Sequence, residues 1–263
     1  MTAPRDALWL YAVRRGATVP PDVPDMHGTH RYEWVVNGDL AALATPTVWP
    51  DDEQSGWPEA LGNVETLLPW VGAFTAAIDA LSAQGTVIPF KFATVVRNHT
   101  SAVSLLERHS ARFAHLLDTL HGSDEWGVKV FGDPKKRAAR LASANDTSGR
   151  SERGRQYLQR KKLERDMAGH IAELFSQDVA HIGAALAGTG HPCRSNAPQG
   201  EQRLPDGSQP LHKFACLVPR DATASFETLV THLQADLMDG AITLVLTGPW
   251  VPYSFCDDAE STE

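Results

Sequence analysis

At 263 residues the chain can bury a substantial core without disulfides or metal, and its 42% apolar and 21% charged content is that of a soluble globular protein. A formal charge of −8 argues against general nucleic-acid binding, and three widely spaced cysteines (Cys193, Cys216, Cys256) exclude a CxxC zinc ribbon, so all three are expected as reduced, mostly buried thiols. The apolar stretch Ala7–Val13 is too short for a secretory leader, with Arg14 and Arg15 on the wrong side of it, and no later apolar run is expected to approach membrane-spanning length; a cytoplasmic protein follows.

Leu8–Val13 reads as the first strand. His30–Val36 and Leu40–Thr45 read as a hairpin, because Asn37-Gly38 is a favoured pair for a tight turn with positive φ. The loop 46–58 carries Asp51-Asp52-Glu53, adjacent carboxylates that read as solvent-exposed rather than as a cation site. From Glu59 to Ala83, Leu61, Val64, Leu67, Leu68, Val71, Phe74, Ile78 and Leu81 recur at three- and four-residue intervals, which predicts a helix with one buried face and a stop at Gly85. Val87–Val96 reads as a β-rich run with Pro89 at an edge or strand start, and Ser101–Leu120 as a second helix.

Trp126–Phe131 starts a second series. Gly132-Asp133-Pro134 breaks the chain, and a long helix over about 151–186 sets Leu163, Met167, Ile171, Leu174, Val179, Ile182 and Leu186 near helical spacing. The stretch 188–210, rich in Gly, Pro, Ser and Gln, reads as a loop or disordered segment. A strand Lys213–Val218, a helix Ser225–Met238 and a strand Ile242–Leu246 complete the series. The expected fold class is α+β in two domains: residues 1–122, ferredoxin-like, and residues 123–263, an α+β domain with long helices. The chain ends in an aromatic, proline-rich tail over 247–255, whose Trp250, Tyr253 and Phe255 are expected to clamp it onto the body.

The chemistry-bearing signals are thin. His27 with His30, His109 with His115, and His191 beside Cys193 lack metal-ligand spacing, and there is no GxSxG, Walker or GxGxxG motif. Gly132-Asp133-Pro134-Lys135-Lys136 lacks the glycines of a phosphate nest. No catalytic, metal or cofactor site is expected. Charge is unevenly spread: between Lys129 and Arg165 twelve Lys or Arg face four acids, near +8, leaving the remainder near −16. Arg153, Arg155, Arg160, Lys161, Lys162 and Arg165 circle a helix with only Tyr157 among them, the pattern of a solvated surface rather than of a groove-reading nucleic-acid helix.

Taken in order, Ile88-Pro89-Phe90-Lys91-Phe92, then Glu125-Trp126-Gly127-Val128-Lys129-Val130, then Gly154–Lys161, then the tail Thr247–Phe255 resemble the GvpL/GvpF family of gas vesicle proteins, over nearly the whole chain. The signature residues are Pro89, Phe92, Trp126, Gly127, Gly248, Pro249, Trp250, Pro252, Tyr253 and Phe255. Two positions depart from the family pattern: Ala93 stands where a Gly is usual, and Val251-Pro252 where a double proline is usual. Ala93 is expected to keep an ordinary β conformation, since a Cβ disfavours positive φ. The resemblance implies a non-enzymatic accessory protein for building gas-filled protein shells, cytoplasmic and vesicle-associated, with no cofactor. The implied partners are the hydrophobic main shell protein and other gas vesicle accessory proteins, not nucleic acid or membrane. An acidic part of the shell partner would meet Arg155, Arg160, Lys161, Lys162 and Arg165. The alternative is a small-molecule-binding or catalytic ferredoxin-like protein. A convergent pocket holding a perturbed acid or base would favour it, and an exposed apolar groove or sheet edge would favour the assembly factor.

Overall fold

The computed structural model describes residues 6–49, 62–144, 156–198, 200 and 202–256, and of Ala144 and residues 156–164 the backbone alone. Among the described residues it is a mixed α/β structure with two antiparallel sheets and six α-helices. The chain divides into two units: the first runs to Ser123 and takes back the residues from Val251, and the second spans Asp124–Trp250. The tail expected in the second domain therefore changes unit at Val251.

The first unit contains β1 (Asp6–Arg15), β2 (Glu33–Asn37), β3 (Leu40–Val48), α1 (Val64–Ser82), β4 (Ile88–Pro89), β5 (Val95–Val96), α2 (His99–Arg108) and α3 (Ser110–Thr119). The sheet order is β2-β3-β1-β4, with β5 also on β1. Central β1 is buried along its length, with Trp9, Tyr11 and Val13 fully inside, which explains its unbroken apolar run instead of alternation. Asn63 caps α1, its Oδ1 accepting from the Glu65 N–H at 2.9 Å. Phe74, Ala77, Ile78 and Leu81 then turn inward, where Phe74 lies 5.5 Å from Tyr11 and Phe92 lies 5.1 Å from Trp9, centroid to centroid.

No helix bridges β1 and β2, and one buried carboxylate organises that connection instead. Asp25 accepts from the backbone N–H groups of His27, Thr29 and Arg31 and from the hydroxyls of Thr29 and Thr45. Burial opposes its ionisation, but the hydrogen bonds from Thr29, Arg31 and His27 together outweigh it and hold the carboxyl below its ordinary range.

Three expectations change here. The β-rich run over Val87–Val96 is two short strands, separated where Thr94 N–H donates to the Lys91 carbonyl at 3.1 Å. Ala93 in that turn has φ 70°, so the ordinary β conformation expected of it is overturned: the bend that carries Phe92 into the core requires the left-handed region even with a Cβ. The single helix expected over Ser101–Leu120 is α2 and α3, broken at His109 with φ −106° and ψ 13°.

The second unit contains β6 (Ser123–Gly132), α4 (Pro134–Ala144), α5 (Gln156–Ala187), β7 (Cys193–Asn196), β8 (Gln209–Pro219), α6 (Thr223–Leu237) and β9 (Ile242–Trp250), with sheet order β7-β8-β6-β9. Gly132-Asp133-Pro134 starts a helix: the Asp133 carboxylate accepts from the Lys135 and Lys136 N–H groups, and Pro134 occupies the first helical position, where no N–H is needed. Ile171, Phe175, Ile182 and Leu186 of α5 and Phe226, Val230 and Leu237 of α6 pack on Trp126, Val128, Val130, Phe214, Cys216 and Val218. The stretch 188–210 is not all loop. β7 forms within it, in register with β8, so that Cys193 faces Cys216 directly with Cα atoms 4.1 Å apart, and the two form a disulfide. The expectation of three reduced thiols is thus corrected for this pair, while Cys256 is free and buried.

Candidate functional site

The structure brings Trp126, Gly127 and Gly248 of the signature together. β9 crosses β6 at an irregularity between Glu125 and Gly127, so closely that a Cβ on Gly127 would lie 2.6 Å from the Thr247 hydroxyl oxygen. Gly248, at φ 130°, has no room for a Cβ either: one would lie 2.9 Å from the Glu125 carbonyl oxygen and 3.3 Å from the Trp126 ring. Beyond the cis Gly248-Pro249 bond, Val251 joins the first unit's core, the cluster that holds Trp9 and Phe74. The expected clamp is corrected in its members. Val251, Pro252 and Phe255 are buried, but Trp250, the last residue of β9, is 57% and Tyr253, which opens the short 3-10 turn Tyr253–Phe255, is 41% exposed.

A different element exposes three large apolar side chains. On α1, Val64 is 69%, Leu68 61% and Val71 37% exposed, and their spacing of four and three places them on one face. The second half of the helix faces the core and the first half shows this stripe to water. By length and composition, with mean hydropathy 1.3, α1 passes for a membrane span, so the expectation that no such run exists is corrected. Its apolar character divides instead between core packing and an open face. The periodicity marked Val64, Leu68 and Val71 as apolar but merged them with Phe74 and Ile78; the missed signal is that apolar residues nearly encircle the first two turns.

The basic candidates are less concentrated than their sequence density implies. Arg155 lies outside the described residues, Arg160, Lys161 and Lys162 lie on α5 with only their backbone described, and Arg165 is exposed. Several other cations of the same stretch have work inside the second unit. Lys136 pairs with Asp206 at 2.9 Å and Asp133 at 3.5 Å, Arg137 pairs with Asp178 at 3.0 Å and donates to the Gly240 carbonyl, and Arg140 donates to the Met238 carbonyl at 2.6 Å. The guanidinium groups thereby satisfy carbonyls where α6 ends.

Arg137, Arg140, Asp178, Asp236 and Asp239 also line an open cleft of about 340 Å³. Burial pushes the Asp178 carboxyl up, against the pull of Arg137. This is a perturbed acid in a cleft, but its cationic partner is already committed to a carbonyl, which is the arrangement of a structural ion pair. Ser195 and the His212 Nε2 lie 2.6 Å apart on exposed parts of β7 and β8, and burial lowers the His212 pKa. Among the described residues no cluster of three His, Cys, Asp or Glu is placed to hold a metal.

The model of the family described as "Gas vesicle synthesis protein GvpL/GvpF" matches residues 7–257. The chain belongs to the GvpL/GvpF family. It is 30% identical to gas vesicle protein L of a Streptomyces species, covering 96% of this chain and 93% of that protein. It is 23% identical to gas vesicle protein L2 of Halobacterium salinarum, covering 74% of each. Its fold matches the crystal structures of the gas vesicle protein GvpF from an Anabaena species, with TM-score 0.65, 16% identity and coverage of 95% and 96%. The GvpF structure from Microcystis aeruginosa matches with TM-score 0.61, 13% identity and coverage of 95% and 98%. Membership in GvpL/GvpF implies a role in gas vesicle formation, and makes other gas vesicle proteins plausible partners.

Proposed function

We propose that this GvpL/GvpF protein is a non-enzymatic assembly factor, cytoplasmic and vesicle-associated, that binds the apolar main shell protein through the first half of α1. The observation that carries this reading is the stripe of Val64, Leu68 and Val71 turned to water on a helix whose other half is core. A subunit built to present a water-repelling surface must be covered until it joins the shell, and an apolar stripe on a well-anchored helix supplies matching surface. The basic residues Arg160, Lys161, Lys162 and Arg165 on α5, with Arg155 before it, would add contacts to an acidic part of a partner and speed its encounter. Other accessory proteins are further partners of the same kind.

The ferredoxin-like reading of both units is supported by strand order. Each sheet runs second-third-first-fourth in its unit's own chain order, the order expected of a split βαβ arrangement. The first unit carries the Asp25-centred connection where the first crossover helix would lie.

Co-expression with the shell protein tests the function. The wild-type chain should co-purify with it and raise its soluble fraction, while Leu68→Glu should lose both without lowering the melting temperature, the site being exposed. Co-purification that survives Leu68→Glu and Val71→Glu together places the contact elsewhere.

A further inference from the structure

β9 is the last strand of the second unit's sheet, and its outer edge is only partly closed. The Asp133 N–H reaches the Ala241 carbonyl at 3.0 Å, so odd-numbered residues of this segment turn their backbone groups toward β6 and even-numbered residues turn theirs outward. Gln234 of α6 occupies the beginning of the outer edge. Its Nε2 donates to the Ile242 carbonyl at 3.1 Å and its Oε1 accepts from the Leu244 N–H at 2.6 Å, so one side-chain amide stands in for a neighbouring peptide. Beyond it, the Leu244 carbonyl and the N–H and carbonyl of Leu246 face outward, with no strand beside them among the described residues.

The sequence of this edge says what fits it. Thr243-Leu244-Val245-Leu246-Thr247 reads the same in both directions about Val245, and Ile242–Trp250 carries no charged residue. Two copies of a chain with net charge −8 repel over most of their surface, but they can meet here without opposing like charges. Antiparallel pairing about Val245 sets Val245 against Val245, each Leu244 against a Leu246 and each Thr243 against a Thr247, all on matching faces. The outward groups of Leu244 and Leu246 then form the hydrogen-bonded pairs, and the contact is isologous and closes at two copies.

We propose that the β9 edge is a self-complementary strand-addition site through which two copies of this chain pair, with Gln234 as a plug that swings aside when the Leu244 N–H finds its new acceptor. The inference is independent of the α1 reading, because it concerns another unit and another partner.

Sedimentation velocity of the full chain over a concentration series tests it. The wild-type chain should show a monomer–dimer equilibrium, and Gln234→Ala should tighten it, since the Leu244 N–H then has no competing acceptor. Val245→Lys and Val245→Glu should each weaken dimerisation by about tenfold, by placing like charges directly opposite one another. Mixing the two variants should restore it as a heterodimer, a result that misfolding of either could not give. Wild-type and Gln234→Ala chains that both stay monomeric overturn the proposal, as does a dimer that Val245→Lys leaves intact or a charge-swapped mixture that stays monomeric.

Discussion

The two halves of α1 have nearly the same composition and opposite surroundings. Phe74, Ala77, Ile78 and Leu81 are buried against β1, whereas Val64, Leu68 and Val71, one to three turns earlier, face water. The C-terminal tail repeats the division over six residues, with Val251 and Phe255 inside and Trp250 and Tyr253 substantially exposed. Apolar residues that lie adjacent on one element thus stand in two separable environments: the buried ones hold the fold, and the exposed ones add little to it.

Substitutions on either side of that division measure it. Phe74→Ala should cost about 3–5 kcal/mol in chemical denaturation, through lost transfer energy and the cavity left among Trp9, Tyr11 and Phe92. Phe255→Ala should approach the same range, being 7% exposed, while Trp250→Ala should cost only about 1–2 kcal/mol. Equal losses at Phe255 and Trp250 would erase the distinction drawn in the tail.

Asp25→Asn should cost about 1–3 kcal/mol, because the amide presents donors to a ring of donors that now points at a carboxylate. The folded-state pKa of Asp25 is depressed, so its contribution is fully present above the ordinary carboxylate pKa of about 4 and is lost as pH falls through the folded value. Wild-type stability should therefore drop more steeply than that of Asp25→Asn on acidification below about pH 4, read from urea midpoints at a series of pH values. Ala93→Gly should stabilise by about 1 kcal/mol in a thermal melt, since it removes a Cβ from the left-handed region. Leu68→Ala should change stability by less than about 0.5 kcal/mol, the smallest effect of the set and the sharpest contrast with Phe74.

What was legible in the chain follows from the range of each interaction. β1, the Asn37-Gly38 hairpin, α6 and the long α5 are announced by local periodicity and turn chemistry, and the structure forms them near the expected bounds. β7 is not announced locally, because Cys193–Asn196 has little strand character of its own; it is a strand because β8 lies beside it, with Cys216 opposite Cys193. The left-handed turn at Ala93 is hidden for a similar reason, as local preference there yields to the placement of Phe92 in the core. The candidate site was half legible. Period-three and period-four spacing identified the apolar residues of α1, but only tertiary packing decides which of them reach the core. The basic stretch was read from charge density alone, and that density could not disclose that Arg137 and Arg140 fasten α4 to the end of α6.

Hydrogen exchange on the full chain, with and without the gas vesicle shell protein, tests the central claim most directly. Binding should slow exchange of the backbone amides across the first half of α1, residues 64–72, while the second half, already protected by the core, should change little. Protection confined to α5, with α1 unchanged, would contradict it.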